Sequence, residues 1–126
     1  MTRLHLLKKV QKRKEQIGIT HDNISQLSHL GYRTVTRFFN GDDVKLSTVE
    51  KITNLLGLDF AGNETISTQT LIDKRAEEKA LYIVSLVQDT SALEMQGLEN
   101  DDINILFKET KEQFLTGEYQ NNLWAS

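Results

Sequence analysis

THDNISQLSHLGYRTVTRFFNG, residues 20–41, contains two short helical patterns broken by one turn. Thr20 is a good N-cap, with Asp22 and Asn23 in the first turn behind it and Ile24 and Leu27 facing inward. Gly31 interrupts the pattern, and a second helix is predicted from Tyr32 to Asn40. Val35 and Phe38 are its inward residues, Phe39 is partly buried, and Asn40-Gly41 forms a C-cap pair.

Two short helices separated by a tight turn inside a small helical domain have the geometry of a helix-turn-helix. In that unit the first helix braces on a DNA backbone and the second lies in the major groove. Ile24, Leu27, Leu30, Val35 and Phe38 supply the apolar contact between the helices, and Tyr32, Arg33, Thr36 and Arg37 are the exposed reading side chains.

Outward from this stretch the chain stays helical. A basic helix is predicted over 2–17, with Leu4, Leu7, Val10 and Ile17 on one face and Gly18 as its stop. Ser47, with Glu50 three residues on, predicts a capped helix carrying Val49, Ile52, Leu55 and Leu56. Residues 61–68, small and polar, read as a linker. A long helix follows over 69–88, and Asp89-Thr90-Ser91 reads as a stop followed by a short helix to about Gln96. Asn100 caps a last helix ending at Gly117, and Leu123 and Trp124 are docking candidates in the tail. The expectation is an all-α protein: a four- to five-helix DNA-binding domain (1–60), a linker (61–68) and a helical dimerisation or partner-binding region (69–126).

Composition agrees. The 126 residues include no proline, where average usage of about 5% would supply about six. With no cysteine, disulfides and thiolate metal sites are excluded. The longest apolar run, 80–87, is too short to span a bilayer, and no signal-peptide core follows Met-Thr-Arg, so a cytoplasmic location is expected. The net charge of −3 is uneven: residues 1–60 carry ten Lys/Arg against six Asp/Glu, whereas 61–126 carry five against twelve. A basic first half suits a polyanion; the acidic second half suits another kind of partner.

The pieces KRKEQIG, THDNISQL, GYRTVTRFFNG and STVEKITNLLGL stand in the register and spacing of the Cro and phage-repressor (Xre-type) helix-turn-helix family. The resemblance covers residues 4–58 and implies a sequence-specific DNA-binding regulator. Such a protein is expected to act as a homodimer on an inverted-repeat operator. By position it implies base readout by Tyr32, Arg33 and Arg37, joined by Thr36 from the reading above, and a phosphate contact at His21. Thr34 and Asn40, with Arg13 and Lys14, are expected on phosphates.

Five positions depart from the family pattern. His29 replaces the usual turn glycine and Ser25 the usual alanine. Phe39 replaces a glutamate that pairs with a first-helix arginine, here Lys14, so packing must replace that ion pair. Asp42 and Asp43 follow the recognition helix where relatives are basic, and are expected to weaken phosphate binding.

In the second half, Ala76, Ala80, Ile83, Val84 and Val87 form a stripe expected to be a dimer or partner interface, although a core stripe has the same pattern. The alternative function is an antitoxin-type interaction protein that neutralises a toxin through its acidic half and represses its own operon. No catalytic constellation is visible: there is no phosphate loop or nucleophile elbow, and the adjacent carboxylates Glu77-Glu78 and Asp101-Asp102 point apart on helices. His21 and His29 lie in different elements without acidic or thiol partners, so neither metal nor cofactor is expected, and the chain does not read as an enzyme.

Overall fold

The Thr20 cap forms as a reciprocal pair. Its hydroxyl accepts from the Asn23 backbone N–H at 3.1 Å, and the Asn23 side chain accepts from the Thr20 N–H at 3.1 Å. These bonds satisfy orphan donors at the start of a helix whose isolated eight residues would otherwise be marginal. The computed structural model describes residues 3–93 and 100–126. Among them are six α-helices and no strand: α1 Arg3–Ile17, α2 His21–Ser28, α3 Tyr32–Phe39, α4 Leu46–Leu55, α5 Thr68–Leu93 and α6 Asn100–Thr116. A 3-10 turn follows at Gln120–Asn122.

The chain divides into two compact units. The first runs to Leu71 and also takes in Trp124–Ser126; the second is Ile72–Leu123. In the first unit Val10, Ile17 and Ile19 are buried, as are Ile24, Val35, Phe38, Phe39, Ile52, Leu56 and Leu58. These are the apolar positions of each helical stripe, together with the residues that follow α1 and α4.

The α2–α3 turn keeps a left-handed residue despite lacking glycine. His29 sits at φ 59°, ψ 31°, and its N–H bonds to the Ser25 carbonyl. Ser25 also donates its hydroxyl to the Leu30 carbonyl at 2.6 Å, a bond that alanine in this place would not make. Ser25 therefore helps hold a turn that His29 strains.

α4 departs from expectation. It begins at Leu46 with Lys45 as N-cap, no side chain caps it, and the Ser47–Glu50 capping box does not form. Residues 61–68 are not a loose linker either. Asp59 Oδ1 accepts from the N–H groups of Ala61 and Asn63, both at 2.9 Å, and the Gly57 carbonyl accepts from Thr65 at 2.9 Å. Gly57 is required here: at φ +70° any Cβ would lie 2.2 Å from Ile66 Cγ2.

In the second unit α5 runs unbroken through Asp89-Thr90-Ser91 to Leu93, so the expected stop is absent. None of these three residues is glycine or proline, and each costs only tenths of a kcal/mol in a helix, up to about 0.7. The end of the expected short helix, at Gln96, lies outside the described residues. α6 is tied to α5 by Lys111, whose ammonium lies 3.1 Å from both Asp73 and Glu77, and the bond to Glu77 leads the effects that raise its pKa. Arg75 Nε donates to the Leu123 carbonyl at 2.8 Å. Among the described residues no helix is long and apolar enough to cross a membrane.

Candidate nucleic-acid interface

The second helix of the helix-turn-helix pattern, α3, buries Val35, Phe38 and Phe39 and leaves Tyr32, Arg33, Arg37 and Asn40 exposed. Tyr32 is 56% exposed at the first helical position, and Arg33 and Arg37, four apart, share the outer face. The structure brings together three of the four expected readers. Thr36 is the exception. Although helical spacing sets it beside Tyr32 and Arg33, the residue is half-buried, and its Oγ1 is buried with no hydrogen-bond partner.

Arg37 is already engaged. Its Nη2 donates to the Asp43 carbonyl at 3.3 Å, and its Nε lies 3.9 Å from an Asp42 carboxylate oxygen. Asp43 pairs in turn with Arg3, which also donates to the Gly41 carbonyl at 2.7 Å. The two acids after α3 thus meet arginines of this chain at the end of the helix.

Beside this face an open cleft of about 630 Å³ separates α3 from the start of α4. Thr34, Arg37, Lys45, Ser47 and Lys51 line it, with Asp43 its one acid. Thr34 belonged to the expected phosphate set; Lys45, Ser47 and Lys51 did not. Two lysines six apart astride a helix start were the available signal.

His21 and Lys14 are half-buried on neighbouring helices. The His21 ring stacks on Phe39 with centroids 4.6 Å apart and planes at 19°, and Phe39 meets Phe38 edge-on at 5.1 Å. Aromatic packing therefore occupies the place of the missing ion pair. Burial, and then the Lys14 charge, push the His21 pKa below its ordinary value.

Arg13 is not where the expected phosphate contact needs it. It is 2% exposed, its Nη2 lies 2.7 Å from Glu64 Oε1, and its Nη1 donates to the Ile66 carbonyl at 3.3 Å. It shares the buried face of α1 with Val10 and Ile17, and Glu64 and Ile66 of the turn after α4 meet it there. The α5 stripe is corrected as well: Ala76 and Ala80 are fully buried and Val84 is 4% exposed, so this face already packs within the chain. Ile83 and Val87 are half-buried. Exposed apolar surface on α5 lies instead at Leu81, Tyr82 and Leu86.

Compared with protein-family models, with curated proteins and with solved structures, the chain finds no match.

Proposed function

We propose that this protein is a sequence-specific DNA-binding regulator that acts as a homodimer on an inverted repeat and represses by occupying its operator. One observation carries the reading: two short helices joined by a left-handed turn, the second burying Val35, Phe38 and Phe39 while it holds Tyr32, Arg33 and Arg37 outward. An arginine fork matches the O6 and N7 acceptors of guanine in the major groove. The cleft with Lys45 and Lys51 beside α3 supplies cations for the flanking phosphates, a sequence-independent contribution. Arg13 and Thr36 have no part in this proposal, whereas Lys14, His21, Thr34 and Asn40 stay as backbone contacts.

Two recognition helices about 34–36 Å apart would enter successive major grooves. A second copy would pair through the α5 face bearing Leu81, Tyr82 and Leu86, not through the buried Ala76, Ala80 and Val84.

A gel-shift titration against DNA from upstream of the protein's own coding sequence, at two salt concentrations, tests the proposal. A discrete complex that resists competitor DNA and weakens steeply with salt supports it. A smear that competitor removes overturns it, and pull-downs through residues 72–123 would then test the partner-binding alternative.

A further inference from the structure

On the first unit, α1 and the turn after α4 form a second concave surface, a cleft of about 270 Å³. Lys9, Lys12, Arg13 and Gln16 line one wall, and Asn63 and Glu64 the other. The α1 residues are three, four and seven apart, so one helix face presents them all. Three of the six lining side chains named are cationic and one is anionic, which leaves an excess of two positive charges in a concavity.

The cleft is shaped rather than incidental. Gly62, at φ +81°, brings the turn backbone so close that a Cβ there would lie 2.8 Å from Lys9 Cδ. Asn63 Oδ1 accepts from Lys9 Nζ at 3.0 Å and steadies the ammonium at the rim. At the base, Arg13 is 2% exposed and fixed by packing. Glu64 Oε1 lies 2.7 Å from Arg13 Nη2, yet that buried nitrogen makes no aligned hydrogen bond. The Glu64 side chain is itself 57% exposed. A carboxylate held from the solvent side against a rigid, imperfectly matched guanidinium can be displaced by a better anion.

We infer that this cleft is a binding site for a small phosphorylated molecule, whose phosphoryl group displaces Glu64 from Arg13 and is clamped by Lys9 and Lys12. A phosphate monoester carries about −1.5 to −2 charges at neutral pH, which the three cations offset once Glu64 is displaced, and its three oxygens suit three cations. The cleft volume lies just under the usual range for ligand sites, about 300–1,000 Å³, so the ligand is compact. Nothing in this inference depends on nucleic-acid binding.

The test is amide NMR of the full chain titrated with inorganic phosphate, pyrophosphate or succinate at matched ionic strength, with sodium chloride as control. Saturable shifts are expected at Lys9, Lys12, Asn63 and Glu64 with the phosphoryl probes. Lys9→Gln/Lys12→Gln changes two exposed side chains and leaves the core intact; it should weaken binding at least tenfold. Glu64→Gln, which removes the competing charge, should tighten it several-fold. Shifts that grow linearly with every salt, or equal binding by the double variant, would overturn the site. Succinate binding as tightly as phosphate would overturn the phosphoryl assignment.

Discussion

The indole Nε1 of Trp124 donates to the Ile17 carbonyl at 2.8 Å, across 107 positions of sequence. Ile17 is the last residue of α1, so its carbonyl is one that a helix end leaves without an intrahelical partner. The bond is buried, Trp124 is 5% exposed, and Ser126 adds a hydroxyl bond to the Gln26 side chain at 2.8 Å. Residues 124–126 thus pack into the unit that holds α2 and α3.

Trp124→Phe keeps most of the apolar burial and strands the Ile17 carbonyl; it should cost about 1–3 kcal/mol. Trp124→Ala should cost about 3–5 kcal/mol. Urea unfolding followed by circular dichroism measures both. Trp124 is the single tryptophan, so its fluorescence in the parent chain should shift to the red as the tail undocks.

On the proposed DNA-binding reading, the Arg37 contacts with Asp42 and Asp43 hold back one of the reading side chains. Arg33→Ala or Arg37→Ala should each cost about 1–3 kcal/mol of operator binding and relax base preference. Asp42→Asn should act in the opposite direction, tightening binding several-fold by releasing Arg37 and removing a charge near phosphates. Gel-shift titrations of the three variants decide the matter; full affinity in both alanine variants would remove α3 as the reader.

At the turn, His29 holds a left-handed conformation that costs a non-glycine residue about 1–2 kcal/mol. Glycine relieves this but gives back about 0.5–1 kcal/mol of chain entropy. His29→Gly should therefore stabilise the fold by up to about 1.5 kcal/mol, read as a higher urea midpoint at unchanged m-value. Ser25→Ala should lower the midpoint, since the Leu30 carbonyl loses its partner.

His21 predicts a pH dependence of known sign. Burial, with Lys14 second, holds its folded pKa below the ordinary 6.5, so below that pH the unfolded chain binds more protons than the folded one. Its contribution to stability is present above pH 6.5 and is lost as pH falls through the lower folded value. Thermal unfolding between pH 7.5 and 5 should show this decline, and His21→Gln should flatten it. An identical profile in the variant would assign the decline to other groups.

Arg13 separates the two kinds of basic residue on α1. Arg13→Ala removes buried packing and the partner of Glu64, and should destabilise the fold by about 1–3 kcal/mol. Lys9→Gln, at an exposed position, should leave the unfolding midpoint nearly unchanged. Chemical denaturation of the two variants distinguishes them.

The helices α2 and α3 were legible in sequence almost to the residue, because their signals are local. A Thr20 cap, a Gly31 break, an Asn40-Gly41 end and apolar residues three and four apart all act within one or two turns. The outward Arg33 and Arg37 follow from the same periodicity. Where local signals competed, sequence erred: Ser47–Glu50 had the spacing of a capping box, but the N-cap of α4 falls two residues earlier at Lys45, and Asp89-Thr90-Ser91 lacks a true breaker. Sequence by itself determined the all-helical class, the two α2–α3 elements and which face of α3 is apolar. Tertiary structure alone decided that Arg13 meets Glu64 and not solvent, that Ala76 and Ala80 are core and not seam, and that Trp124 closes α1. The physical reason is range: helix periodicity reports which residues share a face, whereas the partner of that face comes from distant chain brought together only by folding.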